Sequence, residues 1–346
     1  MTAIVYNPQL SSITFSTIPY ASDPSVRSEM NVPLRVGVVG VGYLGRIHAR
    51  IYSQMPNVKL IGVADIDGDV AAEISGLYGC PGFTDPYALI GKVDAVSIAV
   101  PTSVHGKVAL PYLNGGVHML LEKPIAPTVA EAESIVAAAE ARGLVLLIGH
   151  LERFNAGIMK LADRVQDPRF IESHRLGTFI ERATDVDVVT DLMIHDIDIV
   201  LSLVSSELTY VSAVGSPVVT DHIDIANARL EFANNTVANV TASRVSMKKF
   251  RRIRVFGSDT YQALNFIDQQ IEVVSKTKPA PGQIFPGLKS EQLTIEPRPP
   301  LDAELEHFIE TVASAGQPLV NGKDGIKALH VAQQVQQKIH ACLVTP

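Results

Sequence analysis

Apolar residues fall in two textures along this chain. From Leu34 to Gly149, short aliphatic runs alternate with stretches of helical period. The runs at Leu34–Val39, Val58–Ala64, Val93–Val100, His118–Leu121 and Leu144–Ile148 read as buried strands, because their apolar positions are continuous rather than alternating. Helical patterns follow the glycine turn at 40–45, run from about Val104 to Leu113, and run from Thr128 to Arg142, where Gly143 stops the helix. Thr128 and Glu131 make a T-x-x-E capping box for the last of these. This β–α alternation predicts an α/β domain with a doubly wound parallel sheet.

After about residue 151 the texture changes. A helical stretch near Asn155–Val165 leads to a strand at Phe170–Leu176 and a helix over about Thr190–Val204. Period-two runs follow at Leu208–Val214, Ala226–Phe232, Val237–Val245, Arg252–Gly257, Thr260–Asn265 and Ile271–Val274, the pattern of an antiparallel sheet with one covered face. Lys276–Pro300 reads as a loop, and helices at about Asp302–Ala315 and Asp324–Cys342 close the chain. The expected organisation is an extension over 1–31, a first domain over 32–151 and an α+β domain with an open, largely antiparallel sheet over 152–346.

Composition narrows the classes. A chain of 346 residues with 47% hydrophobic and 19% charged residues can build two cores. No uncharged apolar run reaches the roughly 18 residues of a membrane span. The net charge of −7 argues against a general nucleic-acid surface, and an anionic substrate would need a local basic pocket. Cys80 and Cys342 are far apart and form no metal or redox spacing, which suits a reducing cytoplasm. Cys80 reads as a loop or strand-edge residue and Cys342 as helix packing. Residues 1–29 carry no Lys or Arg before Arg27 and no apolar core, unlike a signal peptide. They read as a poorly packed extension, with Met30 as an alternative start.

Gly40, Gly42 and Gly45 make G-x-G-x-x-G between the first strand and helix. In a dinucleotide site the first permits the turn, the second lets a pyrophosphate approach the backbone, and the third lets helix and strand pack closely. The alternative is packing glycines in an ordinary turn. The second strand ends in Asp65, 20 residues after Gly45, where an acid meets the adenosine ribose hydroxyls. No Arg or Lys lies between Asp65 and Tyr78 to accept a 2′-phosphate, so NAD is expected rather than NADP.

Ligands of open α/β sheets bind at the carboxyl ends of the strands, which places Pro101, Thr102, Glu122, Lys123 and His150 on the rim of the glycine turn. Lys123 there is either a solvated lysine or an acid–base group tuned by burial. Pro124 invites a cis Lys123–Pro124 peptide that fixes the lysine. On the later helix, Asp191, His195, Asp198 and Ser202 form a polar stripe among apolar neighbours. Two readings stand beside each other. Thr190 and Asp191 cap the helix, or His195 takes a proton while Asp191 orients its imidazole. A metal site is not expected from so few ligands. Arg153 and Asn155 either reach the cleft between the domains or form a capped crossover with a salt bridge. Arg182 is a weaker candidate for an anionic substrate.

Together these residues resemble the glucose–fructose oxidoreductase / inositol dehydrogenase (Gfo/Idh/MocA) family. The likeness rests on the glycines at 40–45, Asp65, Glu122-Lys123-Pro124 and Asp191-x-x-x-His195. It implies a Rossmann domain followed by an open-sheet domain that forms dimers or tetramers. It implies catalytic Lys123, Asp191 and His195. It implies NAD contacts from Gly40, Gly42, Tyr43, Leu44, Gly45, Asp65, Pro101, Thr102, His105, Glu122 and Lys123. Substrate contacts would come from Lys123, Arg153, Asn155, Arg182, Asp191 and His195. Within the family, HLERFN and DLMIHDIDIV resemble the UDP-N-acetylglucosamine 3-dehydrogenases, which feed a 3-keto sugar to a pyridoxal-phosphate aminotransferase in lipid A synthesis. Dehydrogenation of another polyol, aldose or inositol, a reductase or an oxidoreductase that recycles tightly bound NAD with a second substrate, and NAD sensing without turnover stand as alternatives.

Overall fold

The computed structural model describes residues 33–180, 186–279 and 285–344. The expected extension over 1–31 and Arg182 lie outside the described residues. In the first domain, β1 (Leu34–Val39) pairs in parallel with β2 (Val58–Ala64) on one side and β4 (Ala95–Ile98) on the other. A short β3 (Gly82–Phe83) lies beyond β2, and β5 (His118–Glu122) and β6 (Leu146–Gly149) lie beyond β4. The order β3-β2-β1-β4-β5-β6 is that of a Rossmann sheet, and it reverses direction between β1 and β4, beside the glycine turn. Helices α1 (Tyr43–Gln54), α2 (Gly68–Tyr78), α3 (His105–Asn114) and α4 (Val129–Glu140) connect the strands. Val36, Val38, Val96, Ile98, Leu120, Leu121 and Leu147 are fully buried, because helices cover both faces of the sheet.

The expected capping box forms only by half. Thr128 Oγ1 accepts from the Glu131 amide at 3.2 Å, but the Glu131 carboxylate accepts from the Gly106 amide at 2.9 Å. A tertiary partner on α3 takes the side chain that would have closed the box.

The second sheet has eight strands in the order β14-β13-β12-β11-β7-β10-β9-β8. They are β7 (Phe170–Leu176), β8 (Leu208–Ser216), β9 (Ile225–Phe232), β10 (Val237–Ser243), β11 (Phe250–Phe256), β12 (Thr260–Asn265), β13 (Gln270–Lys276) and β14 (Leu288–Thr294). Neighbours are antiparallel except β7 and β10. Alternate residues such as Ala226, Ala228, Leu230 and Phe232 face a core completed by α5 (Ala156–Ala162), α6 (Ile194–Leu203) and α8 (Gly322–Val344). β14 corrects the expected loop over Lys276–Pro300. It is an edge strand held by main-chain pairing to β13, and its mostly exposed side chains left no alternation to read.

The closing segment returns to the first core. Ala303, Leu305, Phe308 and Ile309 of α7 (Pro300–Ala313) pack into it, and the Ile148 amide donates to the Val320 carbonyl at 3.0 Å. Helix α8 then serves both cores, with Leu329 in the first and Ala328, Val331 and Val335 in the second. Cys80 is buried beside β3, and Cys342 is exposed on α8, which corrects the packing role expected of it.

Gly45 shows how tightly the first turn is built. A Cβ there would stand 1.7 Å from the Gly40 carbonyl oxygen. Because the obstacle is backbone, Gly45→Ala is expected to cost about 3 kcal/mol or more, at the upper end of overpacking changes. A chemical-denaturation midpoint checks it, and an unchanged midpoint would show that the turn yields.

Candidate active site

The glycine turn has the shape its spacing predicts. Gly40 has φ +81°, and its amide donates to the Ala64 carbonyl at 2.8 Å. Gly42 is the N-cap of α1, with no side chain capping the helix, so the first-turn amides and the helix dipole face outward. A Cβ on Gly42 would meet nothing within 4 Å, so its missing side chain serves the space in front of the turn rather than packing. Asp65 ties the loops together, since its Oδ2 accepts from the Val41 amide at 2.8 Å and its Oδ1 from the Asp67 amide at 3.0 Å. A carboxylate has about four acceptor positions, so capacity remains for ribose hydroxyls. Exposed Tyr43 and half-buried Leu44 follow the turn.

Pro101 and Thr102 lie on the rim after β4, where a short 3₁₀ turn runs Thr102–Val104. His105 lies beneath that rim. It is fully buried, and its ring nitrogens sit 3.0 Å from the Val100 carbonyl and 3.2 Å from that of Ile125. It braces the loop from below, whereas the resemblance placed it among the NAD contacts.

Lys123 follows β5, and the Lys123–Pro124 peptide is cis. Its Nζ donates to the Asp191 main-chain carbonyl at 2.8 Å and lies 3.8 Å from the Asp191 Oδ1. Asp191 sits in a π-helical turn, Val189–Met193, which runs into α6. Wide turns of this kind interrupt regular helices and occur often at functional sites. Asp187 caps the turn, with its Oδ1 accepting from the Val189 and Thr190 amides at 2.9 Å each. Thr190 is therefore not the N-cap. Asp191 turns toward Lys123 and makes no hydrogen bond to His195, so it does not orient the imidazole as the sequence suggested.

His195 is buried, its ring edge-on to His150 at 6.3 Å, and its Nδ1 has no hydrogen-bond partner among the described residues. Burial, then the charges of Lys123, Arg175, His150 and Arg251, holds the imidazole well below its usual range, so it is neutral at pH 7. Burial likewise lowers Lys123, while Asp191 and Glu122 oppose the shift. Burial pulls His150 down to about 3.

The crossover after β6 takes its structural form. Asn155 Oδ1 caps α5 through the Gly157 amide at 3.0 Å, and Arg153 lies 3.4 Å from the Asp198 Oδ1. The Asn155 side chain is thus spent on the cap. Ser202 bonds its own helix through the Ile199 carbonyl.

Several buried polar residues escaped the sequence reading as site members. Asp196 accepts from Ser173 at 2.7 Å and pairs with Arg175, which also pairs with Glu152 at 2.7 Å. Behind Lys123, His48 Nε2 lies 3.3 Å from Glu122 Oε1. Glu304 on α7 is fully buried, and neither of its carboxyl oxygens has a hydrogen-bond partner among the described residues. Burial, then the Glu122 charge, holds Glu304 well above the usual carboxylate range, which favours its protonated form. A signal existed for two of them. His48 shares the inward face of α1 with Gly45 and Tyr52, and Glu304 shares a stripe of α7 with Phe308 and Thr311.

Residues 34–150 match the oxidoreductase family described as Gfo/Idh/MocA with an NAD-binding Rossmann fold, and residues 161–261 match its C-terminal domain. The chain belongs to the Gfo/Idh/MocA family. It is 38% identical over 314 residues to the UDP-N-acetylglucosamine 3-dehydrogenase of Acidithiobacillus ferrooxidans, covering 90% of this chain and 99% of that one. A solved structure of that enzyme superposes with a TM-score of 0.84. The myo-inositol 2-dehydrogenase of Thermotoga maritima is 26% identical, covering 86% of this chain and 93% of the relative. At 18% identity and a TM-score of 0.75, scyllo-inositol dehydrogenase from Lactobacillus casei with bound NAD(H) shares the fold, covering 90% of this chain and 98% of that one. This Gfo/Idh/MocA chain is thus an NAD-dependent dehydrogenase, and the open space at Gly42, the free helix amides and Asp65 suit the dinucleotide. Among the described residues no group of three ligating side chains could hold a metal, and no helix is long and apolar enough to cross a membrane.

Two outcomes follow from this geometry. Gly42→Ala should leave the melting temperature unchanged yet weaken NAD at least about tenfold in a fluorescence titration, since the Cβ enters cofactor space. Unchanged affinity would place the pyrophosphate elsewhere. The second concerns Asp198, whose carboxyl burial pushes up to about 7 from 3.8. The folded form keeps this proton between about pH 4 and 7 while the unfolded chain releases it, so rising pH favours unfolding across that window. Wild type should therefore lose stability relative to Asp198→Asn between those pH values. Parallel urea-denaturation curves for the two proteins would contradict the shift.

Proposed function

We propose that this chain oxidises C3 of UDP-N-acetylglucosamine to a ketone with NAD⁺. The observation that carries the chemistry is a buried, neutral His195 facing the Lys123–Asp191 pair at the rim of a dinucleotide sheet. The observation that favours this substrate is the 38% identity to a UDP-N-acetylglucosamine 3-dehydrogenase over nearly all of that relative.

NAD⁺ supplies the hydride acceptor when bound. His195 takes the hydroxyl proton, because an imidazole kept neutral at pH 7 is ready to accept one. The Lys123 ammonium donates to the same oxygen and stabilises charge there as the carbonyl forms. Asp191 keeps Lys123 charged and fixed, and its carbonyl holds the Nζ on the cleft side. A 3-keto nucleotide sugar suits a following pyridoxal-phosphate aminotransferase of lipid A synthesis. A cytoplasmic homodimer or homotetramer, joined through the open face of the second sheet, completes the reading.

NADH formation followed against UDP-sugars, inositols and aldoses tests the substrate. Turnover of UDP-N-acetylglucosamine is expected, and turnover of an inositol alone would replace this reading with that of the inositol relatives. Lys123→Ala and His195→Ala should each lower kcat by about 10²–10⁴-fold with NAD affinity retained. Wild-type turnover in both would remove the mechanism.

A further inference from the structure

We propose that Arg251 is the anchor for the diphosphate of a nucleotide-sugar substrate. This rests on the nucleotide-sugar reading above and adds the contact that selects for it.

The chain carries a net charge of −7, yet Lys248, Lys249, Arg251, Arg252 and Arg254 crowd into seven residues. These residues make the turn into β11 and its first half. The turn lies at the end of the sheet where β7 stops at Leu176, and Arg175 beside it pairs with Asp196, the neighbour of His195 on α6, so the basic segment adjoins the candidate site. Arg252 and Arg254 are not available there, because they pair with Glu272 and Glu172 on the other face. Arg251 shares the inward face with buried Ile253 and Val255 and stands opposite Arg175 of β7 in register.

The cations around the cleft differ in what they hold. Lys123 has Asp191, Arg153 has Asp198, and Arg175 has both Glu152 and Asp196. The Arg251 guanidinium makes no hydrogen bond among the described residues. Its nearest acid oxygen, Glu152 Oε1, is 3.9 Å away and already accepts from Arg175 at 2.7 Å. The Arg251 side chain is 44% exposed, so an incoming group can reach it. Burial, then the Arg175 charge, lowers the Arg251 guanidinium from its usual range, the mark of a cation short of an anion. A guanidinium fork matches two phosphate oxygens and needs no rearrangement to do so. The charge of Arg251 also reaches His195, so the two groups lie in one region of the molecule. A neutral inositol offers this fork hydroxyl acceptors but no anion, so the residue favours nucleotide sugars over the substrates of the inositol relatives.

The test is titration of UDP into the NAD-loaded protein by calorimetry, with uridine as the phosphate-free control. Arg251→Gln should weaken UDP by about 10- to 100-fold, as expected when a hydrogen-bonded charge contact is lost, while uridine and NAD affinities stay the same. Arg251→Lys keeps the charge but loses the fork and should fall between. UDP binding equally to wild type and Arg251→Gln overturns the proposal and leaves the nucleotide-sugar reading standing. Failure of wild type to bind UDP at all removes both. Should Arg251→Gln lose NAD binding through misfolding, Arg251→Lys decides, and wild-type UDP affinity in that variant overturns the proposal.

Discussion

One contact joins the two halves of the chemistry. Lys123 leaves the rim of the first sheet and donates to the main-chain carbonyl of Asp191 in the second domain. That carbonyl lies in the π-helical turn at the start of the helix, where it accepts the lysine with a lone pair. Asp187 and the buried apolar face of α6 hold that turn in place. The return of α7 and α8 to the first core fixes the domains on either side of it. Without the fixed domain angle the lysine would lose its partner, and the cofactor rim would lose its acid–base group.

The electrostatics of the cleft follow from the same closure. Several cations and two histidines are withdrawn from water within one small region. Each cation raises the cost of protonating His195, and burial raises it further, so the imidazole is held neutral without a carboxylate to orient it. The acids are distributed to match. Asp196 and Glu152 hold Arg175, Asp191 holds Lys123, and Asp198 is partly neutralised by its own burial. Behind the rim, the buried Glu304 and the His48–Glu122 pair continue the polar cluster into the Rossmann core. Such a cluster is costly in an apolar interior, because both His48 ring nitrogens, Glu122 Oε1 and both Glu304 oxygens are buried without a hydrogen-bond partner among the described residues.

Much of the architecture was legible from local pattern. The strands of the first sheet are uniformly apolar, the glycine turn has fixed spacing, and the second-sheet strands alternate with period two. β14 was not legible, because an exposed edge strand has no side-chain signature and exists only through its pairing with β13. The Glu131 cap and the Thr190 cap failed for a related reason. Each side chain or amide had a local partner and a better one, Gly106 for the first and Asp187 for the second.

By itself the sequence determined the fold class, the glycine turn, Asp65, the polar stripe and the placement of Lys123 after a strand, because these depend on spacings of a few residues along one element. The tertiary structure decided how those groups are used. It turned Asp191 to Lys123 rather than to His195, spent Asn155 on a cap, placed His105 beneath the rim and left Arg251 without a hydrogen-bonded acid beside Arg175. Those outcomes depend on distances between elements far apart in the chain, and on burial that only the packed domains create.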